Sequence, residues 1–278
     1  MVALSRARIR LLCLFTTGIL APMTIAIAAD NGGSTPGRAA EMNPPNRAAG
    51  EAVVWIAFPS QKQLANPTWG KFLTDIENHL PAEYGSNYRD ADKVTWCHET
   101  THGINSHLRN RLGGAGRNAF YIGFDRAALV EEPHVTLTQV AQAIPSALRG
   151  SHYQTYLVQQ RGEWDRQPLY LWDEWIAYTN GARTALELAA VSRSGKNDCM
   201  VGMLQFNVYA LYVAKLAQER HADSRQLIEF FAWNWHRSLR IWEAAKVHPH
   251  LNWDNGAYLQ KVLQHPDVRA FLARNQIQ

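Results

Sequence analysis

The chain is poor in cysteine, with three among 278 residues at Cys13, Cys97 and Cys199. Four-thiolate zinc sites and small disulfide-rich scaffolds are therefore excluded, because both need more thiols than the chain has. It has no Lys/Arg run either. The formal charge is +4, but Arg6, Arg8 and Arg10 stand in a stretch without acids, so the residues after 29 carry only +1. Nothing in that balance suits a polyphosphate partner, and nucleic acid is set aside. Long apolar runs are also scarce. Only Leu11 to Ile27 approaches the roughly 20 apolar residues that span a bilayer, and no later stretch reads as a membrane span.

The basic start, the apolar stretch and the small residues at Ala26-Ile27-Ala28 or Ile27-Ala28-Ala29 read as a cleaved secretory signal peptide over 1–29. A secreted or periplasmic protein, soluble after cleavage, is expected. Residues 30–50 are rich in Gly, Pro, Asn and Ala without periodicity and read as a disordered linker. Residues 51–278 suit one globular domain.

Within it, Val53–Phe58, Asn118–Phe124 and Ala127–Val130 have strand character, the last two as a hairpin. Apolar spacing of three and four predicts helices over Asn66–His79, Thr138–Leu148, His152–Gln160, Ala182–Arg193, Met200–Arg220, Ser224–Lys246 and Ala257–Arg274. The expected fold is α+β, mostly α, with a small β-sheet and a C-terminal helical subdomain. Phe230, Phe231, Trp233, Trp235 and Trp242 fall in one helix, where core packing outweighs a glycan-binding row.

The chemistry concentrates in His98-Glu99-Thr100-Thr101-His102. On a helix, positions i and i+4 share a face, so both imidazoles can address one Zn²⁺. Glu99 then stands beside the ion, where its carboxylate can take a proton from the attacking water. The segment resembles the zincin metallopeptidases. A third ligand separates their branches. The metzincin pattern fails, since Asn105 stands where Gly is needed and Leu108 where a His is needed, with His107 out of register.

The stretch Tyr170-Leu-Trp-Asp-Glu-Trp-Ile-Ala-Tyr-Thr-Asn-Gly181 resembles instead the E-x-x-A helix of gluzincins, including the lethal-factor type. The resemblance implies Glu174 as third zinc ligand and Ala177 as the residue packed on the first helix, with Asp173 the competing ligand. It also implies a zincin-like core and a strand edge along the cleft to pair with substrate, a role assigned to Asn118–Phe124 or Ala127–Val130. Where several gluzincins carry an Asp, this chain has Tyr178, on the face of Glu174. Tyr178, Tyr170, His152 and Tyr153 are the candidates for stabilising an oxyanion, each with a structural role as the alternative.

In an oxidising compartment Cys97 and Cys199 most simply form one disulfide, pinning the metal helix. Zinc ligation by Cys97 is disfavoured, because it is rotated about 100° from His98 on the helix. The expected function is an exported zinc metallopeptidase acting on proteins, peptides or cell-wall peptide crosslinks. The alternative is a metal-stabilised binding module without turnover.

Overall fold

All three strands form, and they form one sheet. β1 (Val54–Ala57), β2 (Arg117–Tyr121) and β3 (Arg126–Glu131) are antiparallel in the order β1-β3-β2, with Val54 opposite Leu129 and Arg117 opposite Glu131. The computed structural model describes residues 52–60, 62–65, 69–82, 92–113, 116–190, 198–220, 224–252 and 254–277. These belong to one unit, Pro44–Gln278. The expected signal peptide and the whole of the expected linker lie outside the described residues.

Strand alternation explains how the sheet is used. Ala119, Tyr121, Ala127 and Leu129 face α1 (Lys71–His79) and α2 (Lys93–Leu108), burying against Phe72, Ile76, Cys97 and Ile104. Phe120, Ala128 and Val130 point the other way into a larger core, shared with α4 (Tyr170–Ala190), α5 (Asp198–Arg220) and α6 (Arg225–Ala245). That core runs from Val53 to Ile277. The C-terminal helices are thus not a separate subdomain: they complete the core on which the sheet rests. Trp172 and Trp175 of α4 are fully buried and stack on Phe230 and Phe231 of α6 at 5.4 and 5.5 Å. Truncating either Trp removes packing of the kind that costs about 3–5 kcal/mol. The aromatic row of α6 is mostly core: Phe230, Phe231, Trp235 and Trp242 are buried and Trp233 half-buried.

Several boundaries differ from the periodicity, each for a local reason. Gly181 does not end a helix; α4 continues through it to Ala190. A Cβ there would collide with the Cys199 thiol, so Gly181 lets α5 approach α4. α3 (Leu137–Ala143) stops early because Pro145 drives Ile144 into an extended conformation, and a short turn at Ser146–Leu148 follows. The predicted Ala257–Arg274 helix is two, α7 (Asn255–Gln264) and α8 (Pro266–Arg274), since Pro266 cannot continue a helix but suits a first turn. α1 begins at Lys71, and part of the predicted 66–79 helix, residues 66–68, lies outside the described residues. α5 is one more difference. Its 23 residues are long and apolar enough to cross a membrane, yet 83% of its most apolar window is buried inside the protein.

Of the two strands assigned to pair with substrate, Ala127–Val130 is not an edge. β3 is the central strand, with neighbours on both sides. β2 is an edge, but α2 packs along it, Ala119 is buried, and the main chain of Tyr121 is already bonded to two side chains. Its N–H donates to Asn105 Oδ1 at 2.6 Å, and its carbonyl accepts from Asn180 Nδ2 at 3.2 Å.

Candidate metal centre

α2 begins where Asp92 accepts the Val94 N–H at 3.1 Å, and it runs unbroken past His102. α4 crosses beside it with Glu174 and Tyr178 on one face and Trp175 and Ile176 turned into the core. Three donor atoms meet between them. His98 Nε2 and His102 Nε2 are 3.1 Å apart, and Glu174 Oε2 is 3.5 Å from each. Those separations match the edge of a tetrahedron of ligands about 2.0–2.1 Å from a central ion, roughly 3.3 Å. Glu174 Oε2 is buried without a hydrogen bond, as a ligand oxygen kept for a cation would be. The site fits a divalent metal. Among the described residues no fourth His, Cys, Asp or Glu joins the group, Cys97 included, so the coordination shell is left open.

Asp173 does not compete for the ion. It accepts from the far nitrogen of His102, Nδ1 to Oδ2 at 2.6 Å, while its other oxygen takes Asn105 Nδ2 at 2.7 Å and Arg109 NH1 at 3.3 Å. The arrangement fixes the His102 tautomer and directs Nε2 at the centre. Burial alone would lower the His102 pKa, but the Glu174 and Asp173 carboxylates outweigh it and hold it well above its usual range. Burial likewise favours a neutral Glu174, and the two imidazoles overcome it, keeping the carboxyl well below the usual range. A metal ion would take the place of that shared proton. His98 Nδ1 has no hydrogen-bond partner.

Beside His98 three further side chains gather. The Tyr178 ring lies 4.3 Å from the His98 ring and 5.1 Å from that of His152, and its hydroxyl meets that of Tyr156 at 3.1 Å. Gly202 of α5 makes this possible, because a Cβ there would fall inside the Tyr178 ring. Gln205 Oε1 accepts from both the backbone N–H and the Nδ1 of His152, at 2.9 Å each. The backbone donor fixes which end of the amide is oxygen, so Nδ1 carries the proton and Nε2 offers a lone pair. Burial holds the His152 pKa below its ordinary value, keeping that neutral form. Glu99 is half-buried, and it makes no hydrogen bond or ion pair with a described residue.

The remaining candidates stand farther out. Tyr170 stacks on Trp164 at 4.6 Å, donates to Gln160 at 2.9 Å, and its ring lies 6.2 Å from that of Tyr156. The Tyr153 hydroxyl donates to Ala141 O at 2.8 Å. Tyr156, four residues after His152, is the one whose hydroxyl reaches that of Tyr178. The two cysteines are buried free thiols; the expected bond between them is not formed.

A second acid–histidine group, Asp75, His79 and Asp125, has ligand spacing but a different character. His79 Nδ1 faces Asp75 O at 2.7 Å, and Nε2 faces Phe58 O at 3.0 Å and Asp125 Oδ1 at 2.9 Å. Both ring nitrogens are taken by oxygen acceptors, which makes the group a hydrogen-bonded latch between α1 and the β2–β3 turn. Asp75 completes it by accepting from Tyr121 OH and Phe124 N, each at 2.8 Å.

No protein-family model matches the chain, and comparisons with curated proteins and with solved structures found no match either.

Proposed function

We propose that this chain is an exported zinc-dependent peptidase of gluzincin type, with His98, His102 and Glu174 as metal ligands and Glu99 as general base. The observation that carries the reading is the open three-donor site, with Glu99 next to the ligand His98 in the sequence and making no hydrogen bond or ion pair with a described residue. Structural zinc sites are closed by four protein ligands, whereas catalytic ones leave a position for water or substrate. Two imidazoles and one carboxylate also suit ferrous iron. The adjacent Glu99 favours hydrolysis.

Held by His98, His102 and Glu174, a Zn²⁺ would supply a Lewis acid for the scissile carbonyl and would lower the pKa of a water toward ~7. Glu99 accepts the proton from the attacking water and returns it to the leaving amine. Asp173 keeps His102 oriented through Nδ1. Tyr178 and Tyr156 share one hydroxyl proton between them, which leaves the other free to donate to the developing oxyanion. Burial, with Glu174 nearby, raises both phenols, so they stay protonated donors. His152, presenting an acceptor nitrogen, suits a substrate N–H or O–H rather than the oxyanion. Proteins, peptides and cell-wall peptide crosslinks are the substrate classes that fit.

The decisive experiment compares wild type with Glu99→Gln on denatured protein, a peptide library and purified peptidoglycan. Glu99→Gln should keep its fold and metal while losing ~10²–10⁴-fold in turnover. Equal cleavage by both proteins would remove Glu99 from the mechanism, and a metal-loaded but inactive wild type would favour a binding module.

A further inference from the structure

Arg237 of α6 is 6% exposed, and among the described residues no carboxylate pairs with it. Its guanidinium gives NH2 to Asn180 Oδ1 at 2.5 Å and NH1 to Asn234 Oδ1 at 3.5 Å, between the rings of Phe72 and Trp233 at 5.7 and 5.6 Å. A buried cation held by neutral amides is an expensive way to fill a core, and apolar residues of similar volume often serve stability better. What the cation does to Asn180 is more informative.

Guanidinium nitrogens only donate, so Asn180 must turn its oxygen toward Arg237. Its Nδ2 then points the opposite way, to Thr101 Oγ1 at 3.1 Å and Tyr121 O at 3.2 Å, both acceptors. Thr101 sends its own proton to Cys97 O at 2.9 Å, so its lone pair is free for Asn180. Donor and acceptor roles close without conflict. Thr101 directly precedes His102, and Asn180 lies on the helix that carries Glu174. The ligand helices therefore have two ties, Asp173 to His102 and Asn105 at one end, and Asn180 to Thr101 at the other.

We infer that Arg237 is a positioning residue: by fixing the orientation of the Asn180 amide it sets the register of α2 against α4, and with it the spacing of His98 and His102 from Glu174. The inference rests on the reading of those three residues as metal ligands.

The test uses Co²⁺ as the probe with wild type, Arg237→Met, Arg237→Lys and Thr101→Val. It reads the visible d–d spectrum, Co²⁺ affinity by chelator competition, and the melting temperature of the metal-free protein. Arg237→Met, which leaves the buried Asn180 Oδ1 and Asn234 Oδ1 without that donor, should melt below wild type and bind Co²⁺ ~10–100-fold more weakly, the range seen when outer-shell partners are lost, with a shifted d–d band. Thr101→Val, which removes only a hydroxyl, should move affinity and spectrum the same way, and Arg237→Lys should restore part of both.

Unchanged affinity and spectrum in Arg237→Met and Thr101→Val would overturn the inference, including where only the melting temperature falls. If Arg237→Met does not fold, Thr101→Val decides alone. A wild type that binds no Co²⁺ strikes down the metal reading itself, which separates that failure from a failure of the positioning role.

Discussion

Asp173 and Glu174 are neighbours in sequence and address opposite nitrogens of one imidazole: Asp173 Oδ2 lies 2.6 Å from His102 Nδ1, and Glu174 Oε2 lies 3.5 Å from Nε2. On the proposed reading, Glu174 would hold the ion and Asp173 the histidine that holds it. Glu174→Ala should therefore abolish stoichiometric zinc binding, as should His98→Ala. Asp173→Asn should keep the metal with ~10–100-fold weaker affinity. Metal analysis with chelator titration reads the difference; full occupancy in Glu174→Ala would reject the assignment, and iron instead of zinc in protein purified from its native host would change the proposed chemistry.

Tyr178→Phe should leave the fold intact and lower kcat ~10²–10³-fold, the usual cost of an oxyanion donor, with little change in KM. Gly202→Ala should reproduce the loss, since its Cβ displaces the Tyr178 ring. Turnover kinetics on a peptide substrate would test both. A loss in Tyr156→Phe but not in Tyr178→Phe would move the role to the neighbouring hydroxyl.

Glu132 supplies a pH dependence away from the metal. Burial raises its pKa from 4.5 to about 7, against hydrogen bonds from Leu169 N and Asn118 Nδ2. A raised folded-state pKa means that the stabilising proton is fully bound below about 4.5 and is lost as pH rises through about 7. Wild type should thus lose stability across that window, by up to about 3 kcal/mol. Glu132→Gln should stay flat there, its oxygen keeping Leu169 N while Asn118 turns its amide. Denaturant unfolding at several pH values would show it, and parallel curves for the two proteins would refute it.

Native protein should expose no alkylatable thiol at Cys97 or Cys199, because both are buried and burial pushes Cys97 up to about 12. Unfolding without reductant should release both. Recovery of a linked Cys97–Cys199 peptide from exported material would restore the crosslink that the compartment suggests.

How much of this was legible beforehand follows from how local each signal is. Strands and helices came through because apolar period is written within ten or twenty residues. The pairing of His98 with His102 is a property of one helix. Sheet order was not legible, since nothing in β3 itself says that β1, far earlier in the chain, lies along it. Nor could periodicity choose between Asp173 and Glu174, whose directions depend on where α2 crosses α4. Tyr156 and Gln205 reach Tyr178 and His152 from two separate elements, and that convergence is visible only in the packed molecule. Pro145 and Pro266, by contrast, were on the page as helix breakers and mark where the periodic reading ran too long.

The closed edge of β2 has a consequence for what this protein can recognise. With Asn105 and Asn180 on the main chain of Tyr121, and β3 enclosed, an incoming chain finds no free ladder at β3 or at Tyr121 of β2. Strand addition selects extended chains of uniform handedness, because its ladder repeats with the backbone. On the proposed peptidase reading, a site without that ladder would read side groups and the bond itself. Branched linkages and residues of inverted chirality would then lose nothing relative to an ordinary peptide.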